Sequence, residues 1–235
     1  SRFQKCDRSG TIHSDPAGTA CSGRENSENG EEKSSDCNDW NPKSMNDNRI
    51  TLHKTIAHFR TITHHRHVVC RECFQVGLYW QGLTHDLSKY SPTEFWVGAR
   101  YYQGTRSPNN AEREDKGLST SWLHHKGRNR HHYEYWMDYS AKRHDGIAGS
   151  GIIACRMPLR YVMEMFMDRI AASKTYNGAA YKDTDPIAYY RRGDTRQFLH
   201  PDTADLLESL LVLLAEEGEE KAFAKVRELL QKGTY

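Results

Sequence analysis

The 235-residue sequence has no run of about 18 apolar residues, the length that a membrane-spanning helix needs. It also has no excess of one charge, because 33 basic residues stand against 31 acidic residues and give a formal net charge of +2. Without a strong positive field, neither nucleic acid nor an anionic membrane is indicated as a partner. No signal peptide is recognisable at the start. We therefore expect a cytoplasmic protein.

The six cysteines lack the spacing of a disulfide framework. Cysteines of this kind are typical of free thiols in a reducing compartment. Cys70 and Cys73 lie three residues apart, as in half of a zinc ribbon, but the sequence has no second pair to complete four ligands. We interpret them as small core residues on a helix.

The chain is poor in apolar residues, with a mean hydropathy of −0.86, and the polarity is concentrated near the start. Residues 1–47 are rich in Ser, Gly, Asn, Asp and Glu, and Phe3, Trp40 and Met45 are nearly the only large apolar side chains there. Such a segment cannot bury enough surface to offset the entropy of ordering. We predict a disordered extension over 1–47 and one helical domain over 48–235.

From residue 48 onward, apolar residues recur at helical spacing. The pattern predicts a helix over 133–140, a second over 158–173, and two C-terminal helices separated by Gly218. Residues 103–119 are predicted to form a long polar connection, which in a compact domain is often a lid or a binding loop. No strand ladder is recognisable, so the predicted fold class is all-α.

The segment from Ser91 to Glu94 has the pattern of a helix start. Ser91 would be the N-cap, Pro92 the first helical residue, and Glu94 the partner that completes a capping box. Glu94 also follows the His85-Asp86 pair closely in sequence. A second interpretation therefore makes it a general base or a group that orients a metal ligand.

Histidine is abundant, with 13 residues, and the adjacent pair His85-Asp86 is the most informative motif. Neighbouring side chains on a helix point roughly 100° apart, so this pair can converge only at a helix end or at a local irregularity. A metal ion is the usual reason to hold the two side chains together. Imidazole nitrogen with carboxylate oxygen suits Zn, Mn, Fe or Ni.

Further candidate ligands lie on both sides of this pair. Upstream, His65 precedes His85 by 20 residues, and downstream Asp168 lies among apolar residues on a predicted helix. A carboxylate in such surroundings is costly unless it is paired or bound to metal. Two histidine pairs surround a predicted turn, which lets one member of each face inward: His124 with His125, and His131 with His132. The residues predict a His/Asp metal site assembled from four helical segments.

The order of these residues resembles that of the HD superfamily of helical metal-dependent phosphohydrolases. A first His is followed by the adjacent His-Asp, by one or two further His, and by an Asp on a late helix. The stretch from His58 to Trp136 also resembles an uncharacterised group of small bacterial and phage proteins with the HD-like signature Gly-Leu-X-His-Asp-Leu-Ser-Lys, which lies here at residues 82–89. The resemblance covers about residues 50–215 and implies an HD-like helical bundle.

The resemblance also implies a ligand set for the metal. The four ligands of a first ion would be His65, His85, Asp86 and Asp168. His125 and His131 or His132 would serve a second ion or the substrate phosphate; we assign His125 and His131 to metal and His132 to substrate. The first ligand stays open, because His58, 27 residues before His85, fits the ordinary spacing of HD enzymes better than His65 does.

The activity implied by the resemblance is hydrolysis of a phosphate ester, of a nucleotide or another small phosphorylated metabolite. One or two divalent ions (Mn, Zn, Fe, Ni or Mg) would be required. The predicted catalytic residues are Asp86, which would orient the nucleophile, with Lys89 and Glu94. The predicted substrate contacts are basic or imidazole side chains, namely Arg106, Lys126, Arg128, Arg130 and His132.

Two other functions remain open from the sequence. HD-like proteins with additional histidine ligands can hold two irons and activate oxygen. The domain could also be a non-catalytic helical module for metal binding or interaction. The C-terminal leucine stripe could pair subunits in a homo-oligomer, although such a stripe is more often an intramolecular core.

Overall fold

The computed structural model describes residues 48–142 and 144–235. The predicted N-terminal extension, residues 1–47, lies outside this range. The described part of the chain contains eight α-helices, a pair of short strands and several 3₁₀ turns. The helices are α1 (Leu52–Gln75), α2 (Tyr79–Thr84), α3 (Pro92–Arg100), α4 (Pro108–Lys116), α5 (Thr120–Lys126), α6 (Leu159–Asn177), α7 (Asp185–Arg192) and α8 (Pro201–Lys232). The all-α prediction is confirmed.

Helix α1 begins at an N-cap threonine, because the side chain of Thr51 accepts a hydrogen bond from the backbone N–H of Lys54. Its buried face carries Ile62, His65 and Val69, at the three- and four-residue spacing of one helical face. This face packs against α2 and α6. The position places a histidine of α1 in the protein interior.

Helix α6 is the central helix of the core. Every residue from Val162 to Met167 is buried, and so are Ile170 and Ala171. A helix buried on most sides must be covered by several neighbours, and α6 packs against α1 on one side and α8 on another. The helix predicted over 158–173 is thus confirmed. Among its polar residues, Glu164 is buried and Asp168 is partly buried.

The C-terminal helix α8 is interrupted as predicted at Gly218, which has a positive φ of 82° and a ψ of 176°. Only glycine adopts this conformation without steric cost. Leu207, Leu211 and Leu214, before the break, are fully buried in the core. The leucine stripe therefore packs within the chain.

Two predicted segments differ from the structure. The helix expected over 133–140 is a 3₁₀ turn, Tyr133–Trp136, followed by strand β1 (Met137–Tyr139). This strand pairs antiparallel with β2 (Ile152–Ala154), with Met137 opposite Ala154. The polar connection over 103–119 contains α4, which starts at the N1 proline Pro108 and ends at Gly117 with φ 76°. That proline-to-glycine pattern marks a short polar helix.

No helix of the described residues is long and apolar enough to cross a membrane.

Candidate metal centre

His85 and Asp86 lie at a sharp irregularity of the backbone. Helix α2 ends at Thr84, His85 is its C-cap with extended ψ, and Asp86 takes the left-handed conformation with φ 52° and ψ 26°. Such a conformation is uncommon for a residue other than glycine and costs on the order of 1 kcal/mol. The turn brings His85 Nε2 to within 3.4 Å of Asp86 Oδ2. Both residues are only 1% exposed.

The first candidate ligand group joins three elements of the fold. His65 from α1 and Asp168 from α6 meet the His85-Asp86 turn, and the four ligand atoms lie within 4.8 Å of one another. His65 Nε2 is 3.0 Å from Asp168 Oδ1 and 3.9 Å from Asp86 Oδ2. The four residues are those that the resemblance to HD phosphohydrolases implied for a first ion.

His58, the alternative first ligand, lies elsewhere. Its ring packs against Phe95 and Tyr102, and it approaches Gly98 so closely that a Cβ there would be 2.3 Å from its Nε2. Burial, with the nearby charge of Lys89, lowers the pKa of His58 to about 4. The structure thus brings His65, and not His58, to the other three ligands.

The second candidate ligand group contains Asp86 again, with His125, His131 and His132. His125 Nε2 is 3.2 Å from Asp86 Oδ1, and His131 Nε2 is 3.4 Å from the same oxygen. The other oxygen, Oδ2, faces His65 and His85. Asp86 is therefore shared between the two groups, with one oxygen directed to each.

The donor atoms of both groups fit a divalent cation. Among the described residues, five buried donor or acceptor atoms of these groups have no hydrogen-bond partner: His65 Nε2, His85 Nε2, Asp86 Oδ1, His131 Nε2 and His132 Nε2. The close approach of His65 to Asp168 lacks hydrogen-bond geometry. A buried polar atom without a partner costs about 1–3 kcal/mol. Imidazole and carboxylate ligands converging on such positions suit one or two transition-metal ions.

Glu164 on α6 contacts the Nδ1 atom of one histidine in each group. Its Oε1 accepts a hydrogen bond from Nδ1 of His85, at 3.0 Å, and lies 3.1 Å from Nδ1 of His131. A proton on Nδ1 leaves the Nε2 lone pair free to bind metal. The sequence interpretation missed Glu164, although it lies four residues before Asp168, one helical turn away on the same face.

Glu94 plays the corresponding part for the second group. It is 5% exposed, and its two oxygens accept hydrogen bonds from Nδ1 of His124 at 2.6 Å and of His125 at 2.7 Å. The predicted capping box is therefore wrong, because this carboxylate points to histidines of α5 and not back to Ser91. With both oxygens engaged, Glu94 orients His125, and a general-base role does not fit its contacts.

Charges within the cluster favour ionised carboxylates. Burial acts to raise the pKa of Asp86, but His85, Lys89 and His125 hold it well below its usual range. Lys89 contributes through an ion pair of 2.7 Å with Asp86 Oδ2. Burial opposes protonation of His85, yet Asp86 and the other carboxylates raise its pKa to about 10. A cation entering this site would therefore have to displace a proton.

The cluster opens onto a cavity of about 760 Å³, a size within the range of small-molecule sites. Its lining includes His65, Lys89, His125, His132 and Asp168 of the cluster region. The lining also includes aromatic, amide and basic side chains, among them Tyr102, Asn109, Arg113, Trp122, Arg169 and Arg192. A ligand in this cavity would have access to members of both candidate metal groups and to several basic side chains.

Only two of the five predicted substrate contacts, Arg106 and His132, line the cavity. Arg106 lines the cavity, but both its terminal nitrogens bind the Glu114 carboxylate, at 2.5 and 2.6 Å. His132 lines the cavity and belongs to the second ligand group. Lys126, Arg128 and Arg130 are not part of the described cavity lining. Arg130 instead stacks on aromatic rings on the exterior.

The two cysteines of the Cys70-Cys73 pair are free, and Cys73 is fully buried. In the described part of the chain, no candidate metal group includes a cysteine. The interpretation as core residues agrees with the placement of Cys73, whereas Cys70 is only partly buried.

Fold and site together define a class, namely all-helical proteins with a buried cluster of histidines and carboxylates that could hold metal. The chain belongs to the DUF5662 family, a family of unknown function, whose match covers residues 54–213 and thus more than half of the chain. The matched range contains every residue of both ligand groups. Neither the curated proteins nor the solved structures gave a significant match.

Proposed function

We propose that the protein is a metal-dependent hydrolase of phosphate esters, acting on a nucleotide or another small phosphorylated metabolite. The observation that carries the proposal is that Asp86 is shared by two ligand groups, and that members of both groups, among them His65, Asp168, His125 and His132, line one cavity together with basic side chains. The order of ligands along the chain, as in HD phosphohydrolases, supports it further.

The residues present define which side chains would hold metal. His65, His85, Asp86 and Asp168 would bind one ion, and Asp86, His125, His131 and His132 a second. A divalent ion in such surroundings lowers the pKa of a bound water towards neutrality and polarises a phosphoryl oxygen. His132 thereby moves from the predicted substrate contacts to the proposed ligands.

The chain's own groups would position the substrate and balance its charge. Lys89, at the cavity wall and paired with Asp86 Oδ2, offers an ammonium group to a phosphoryl oxygen. Asp86 stays ionised and orients the attacking water. Hydrolysis then forms a bond from the water oxygen to phosphorus and breaks the ester P–O bond, and the alcohol leaves with a proton. Glu94 and Glu164 hold the imidazoles in their ligating tautomer.

The experiment combines metal analysis with turnover. We expect the purified protein to contain a divalent transition metal and to release phosphate from members of a panel of nucleotides and sugar phosphates. Asp86→Asn should lose metal and reduce turnover by at least about a hundredfold, since it removes a ligand common to both groups. The matched control is Asp138→Asn, at an exposed residue of β1.

Full activity and full metal content in Asp86→Asn would reject the proposal. Bound iron with an optical spectrum that changes on exposure to oxygen, without phosphate release, would favour the di-iron oxygenase. A protein that binds metal but turns over neither kind of substrate would be assigned to the non-catalytic alternative.

A further inference from the structure

Two buried polar atoms of cavity-lining residues have no hydrogen-bond partner in the described part of the chain. They are Arg169 Nε and Glu134 Oε2, and neither residue belongs to a ligand group. Both residues line the cavity. An unpaired charged group costs more to bury than an unpaired neutral one, so a pair of opposite sign beside one cavity indicates a missing ligand.

Arg169 is positioned without a counter-charge. It follows Asp168 on α6, and its guanidinium lies 5.3 Å from the ring centre of Tyr190 on α7. In the described part of the chain, no carboxylate lies within ion-pair distance of it, whereas the cavity residue Arg106 is fully paired with Glu114. Stacking fixes a guanidinium plane while leaving its N–H groups available.

Glu134, the second residue with an unpartnered atom, lines the same cavity. It lies in the 3₁₀ turn Tyr133–Trp136, two residues after His132, so the turn that supplies the second ligand group also supplies this carboxylate. Arg169 in turn directly follows Asp168 of the first ligand group, and the two groups share Asp86. Both side chains therefore line the cavity next to the candidate metal centre.

The chemistry of the two atoms restricts what can bind between them. A guanidinium N–H only donates a hydrogen bond, and a carboxylate oxygen only accepts one. A second phosphate, which offers only acceptors when ionised, would satisfy Arg169 and be repelled by Glu134. A nucleobase edge offers a donor beside an acceptor, and the rings of Trp122 and Tyr133 in the cavity lining suit its faces.

We propose that Glu134 and Arg169 form a recognition subsite for the donor-and-acceptor edge of a nucleobase. The inference rests on the proposed hydrolysis only for the phosphate end of the ligand. It narrows the substrate from any small phosphate ester to a nucleotide, and it names the residues that distinguish the nucleotide from a sugar phosphate.

The test uses ligands that cannot be cleaved, namely nucleoside 5′-phosphonates carrying each base and the base-free ribose 5-phosphonate. Their dissociation constants are measured by calorimetry with the metal-containing protein. We expect the best nucleoside phosphonate to bind at least about tenfold more tightly than ribose phosphonate, as the loss of hydrogen bonds to charged groups predicts. Glu134→Gln and Arg169→Met should each remove most of this difference.

Metal content, the affinity for ribose phosphonate and a control variant show whether the effect of each substitution is specific to the base. Ribose phosphonate affinity and metal content should be unchanged in both variants, because a disturbed Asp168 would lower them. Arg160→Gln, at an exposed residue of the same helix, is the control and should behave as the wild type. Equal losses for nucleoside and base-free ligands would overturn the subsite. So would a preference of the wild type for a ribose bisphosphonate over every nucleoside phosphonate.

The result for the nucleobase subsite can be distinguished from the result for the proposed hydrolase. Base-dependent binding that these variants abolish, without phosphate release from any nucleotide, would retain the subsite and reject the hydrolase. Phosphate release without base-dependent binding would retain the hydrolase and reject the subsite.

Discussion

Glu164 is a single carboxylate on which both candidate metal groups depend, since its Oε1 binds a histidine of each. Replacing it with leucine should leave the Nδ1 protons of His85 and His131 without an acceptor. We expect metal affinity to fall by about 10–100-fold, the usual effect of losing a group that orients a ligand. Calorimetric titration of the metal-free protein with Zn²⁺ or Mn²⁺ measures it.

Glu164→Gln distinguishes orientation from charge. The amide oxygen can still face the Nδ1 atoms of His85 and His131. A purely geometric role therefore predicts near-normal metal affinity, and a role for charge predicts a metal affinity between those of the wild type and the leucine variant. Glu216→Gln, at an exposed residue of α8, is the control. Unchanged affinity in Glu164→Leu would show that the two histidines do not need this carboxylate.

Glu72 is a buried carboxylate outside the metal centre whose titration should affect stability. It pairs with Lys174 at 2.7 Å, but Lys174 is shared with Glu219. Burial outweighs the lysine and raises the pKa of Glu72 to about 7. Because the folded state then binds this proton more tightly than the unfolded state does, the free energy of unfolding should fall as pH rises from about 4.5 through about 7.

Urea unfolding of the wild type and Glu72→Gln at pH 5 and pH 8 tests this sign. The wild type should lose on the order of 2 kcal/mol more than the variant between the two pH values. Other titrating groups, including the histidines, are common to both proteins and cancel in the comparison. A variant with the same pH dependence as the wild type would place the pKa of Glu72 near its ordinary value.

Helix α2 is held against α1 by a close approach at Gly82. A Cβ there would meet Cys73 Cβ at 3.0 Å and the backbone oxygen of Cys70 at 3.1 Å. Alanine should push α2 away from α1, destabilising the fold by about 1–3 kcal/mol, and should displace His85, three residues later. Thermal unfolding and metal titration measure the two effects.

Gly127, the residue after α5, provides the comparison. Its φ of −75° suits any residue, and an added Cβ would come no closer than 3.5 Å to its neighbours. Gly127→Ala should therefore keep wild-type stability. If Gly82→Ala were equally stable, the approach of α2 to α1 would be looser than the structure has it.

The elements differ in how far the sequence predicts them. Helix α6 and the break at Gly218 follow from apolar spacing and from glycine, which are local properties. Helix α4 has local signals as well, since Pro108 begins it and Gly117 ends it, but its polar composition hides a helical stripe. Strand β1 has no such signal, because three residues are too few for alternation and its paired residues in β2 lie 13 to 17 positions away in sequence.

The residues of the candidate site also differ in how far the sequence predicts them. Residue type and the order of the residues pointed to His85, Asp86 and Asp168, and the resemblance to HD phosphohydrolases added His65, whereas spacing alone left His58 as the alternative. Glu164 and Glu134 were not predicted. Glu164 contacts histidines that are distant in sequence, and one oxygen of Glu134 has no hydrogen-bond partner. Neither property can be predicted from the neighbouring residues in the sequence.

The ligand groups join α1, the turn after α2, the segments around α5, and α6, so metal binding should stabilise the whole domain. A ligand present at a thousand times its dissociation constant stabilises the folded state by about 4 kcal/mol if the unfolded chain does not bind it. We expect removal of metal by a chelator to lower the Tm, and re-addition of the ion to restore it.

Asp86→Asn connects this stabilisation to the proposed centre. The variant should have the Tm of the metal-free wild type and should not respond to added metal or to chelator, because Asp86 belongs to both groups. Asp138→Asn should respond as the wild type does. A chelator-dependent Tm that survives in Asp86→Asn would mean that the stabilising ion binds elsewhere, and the two groups around Asp86 would then need another explanation for their unpartnered nitrogens.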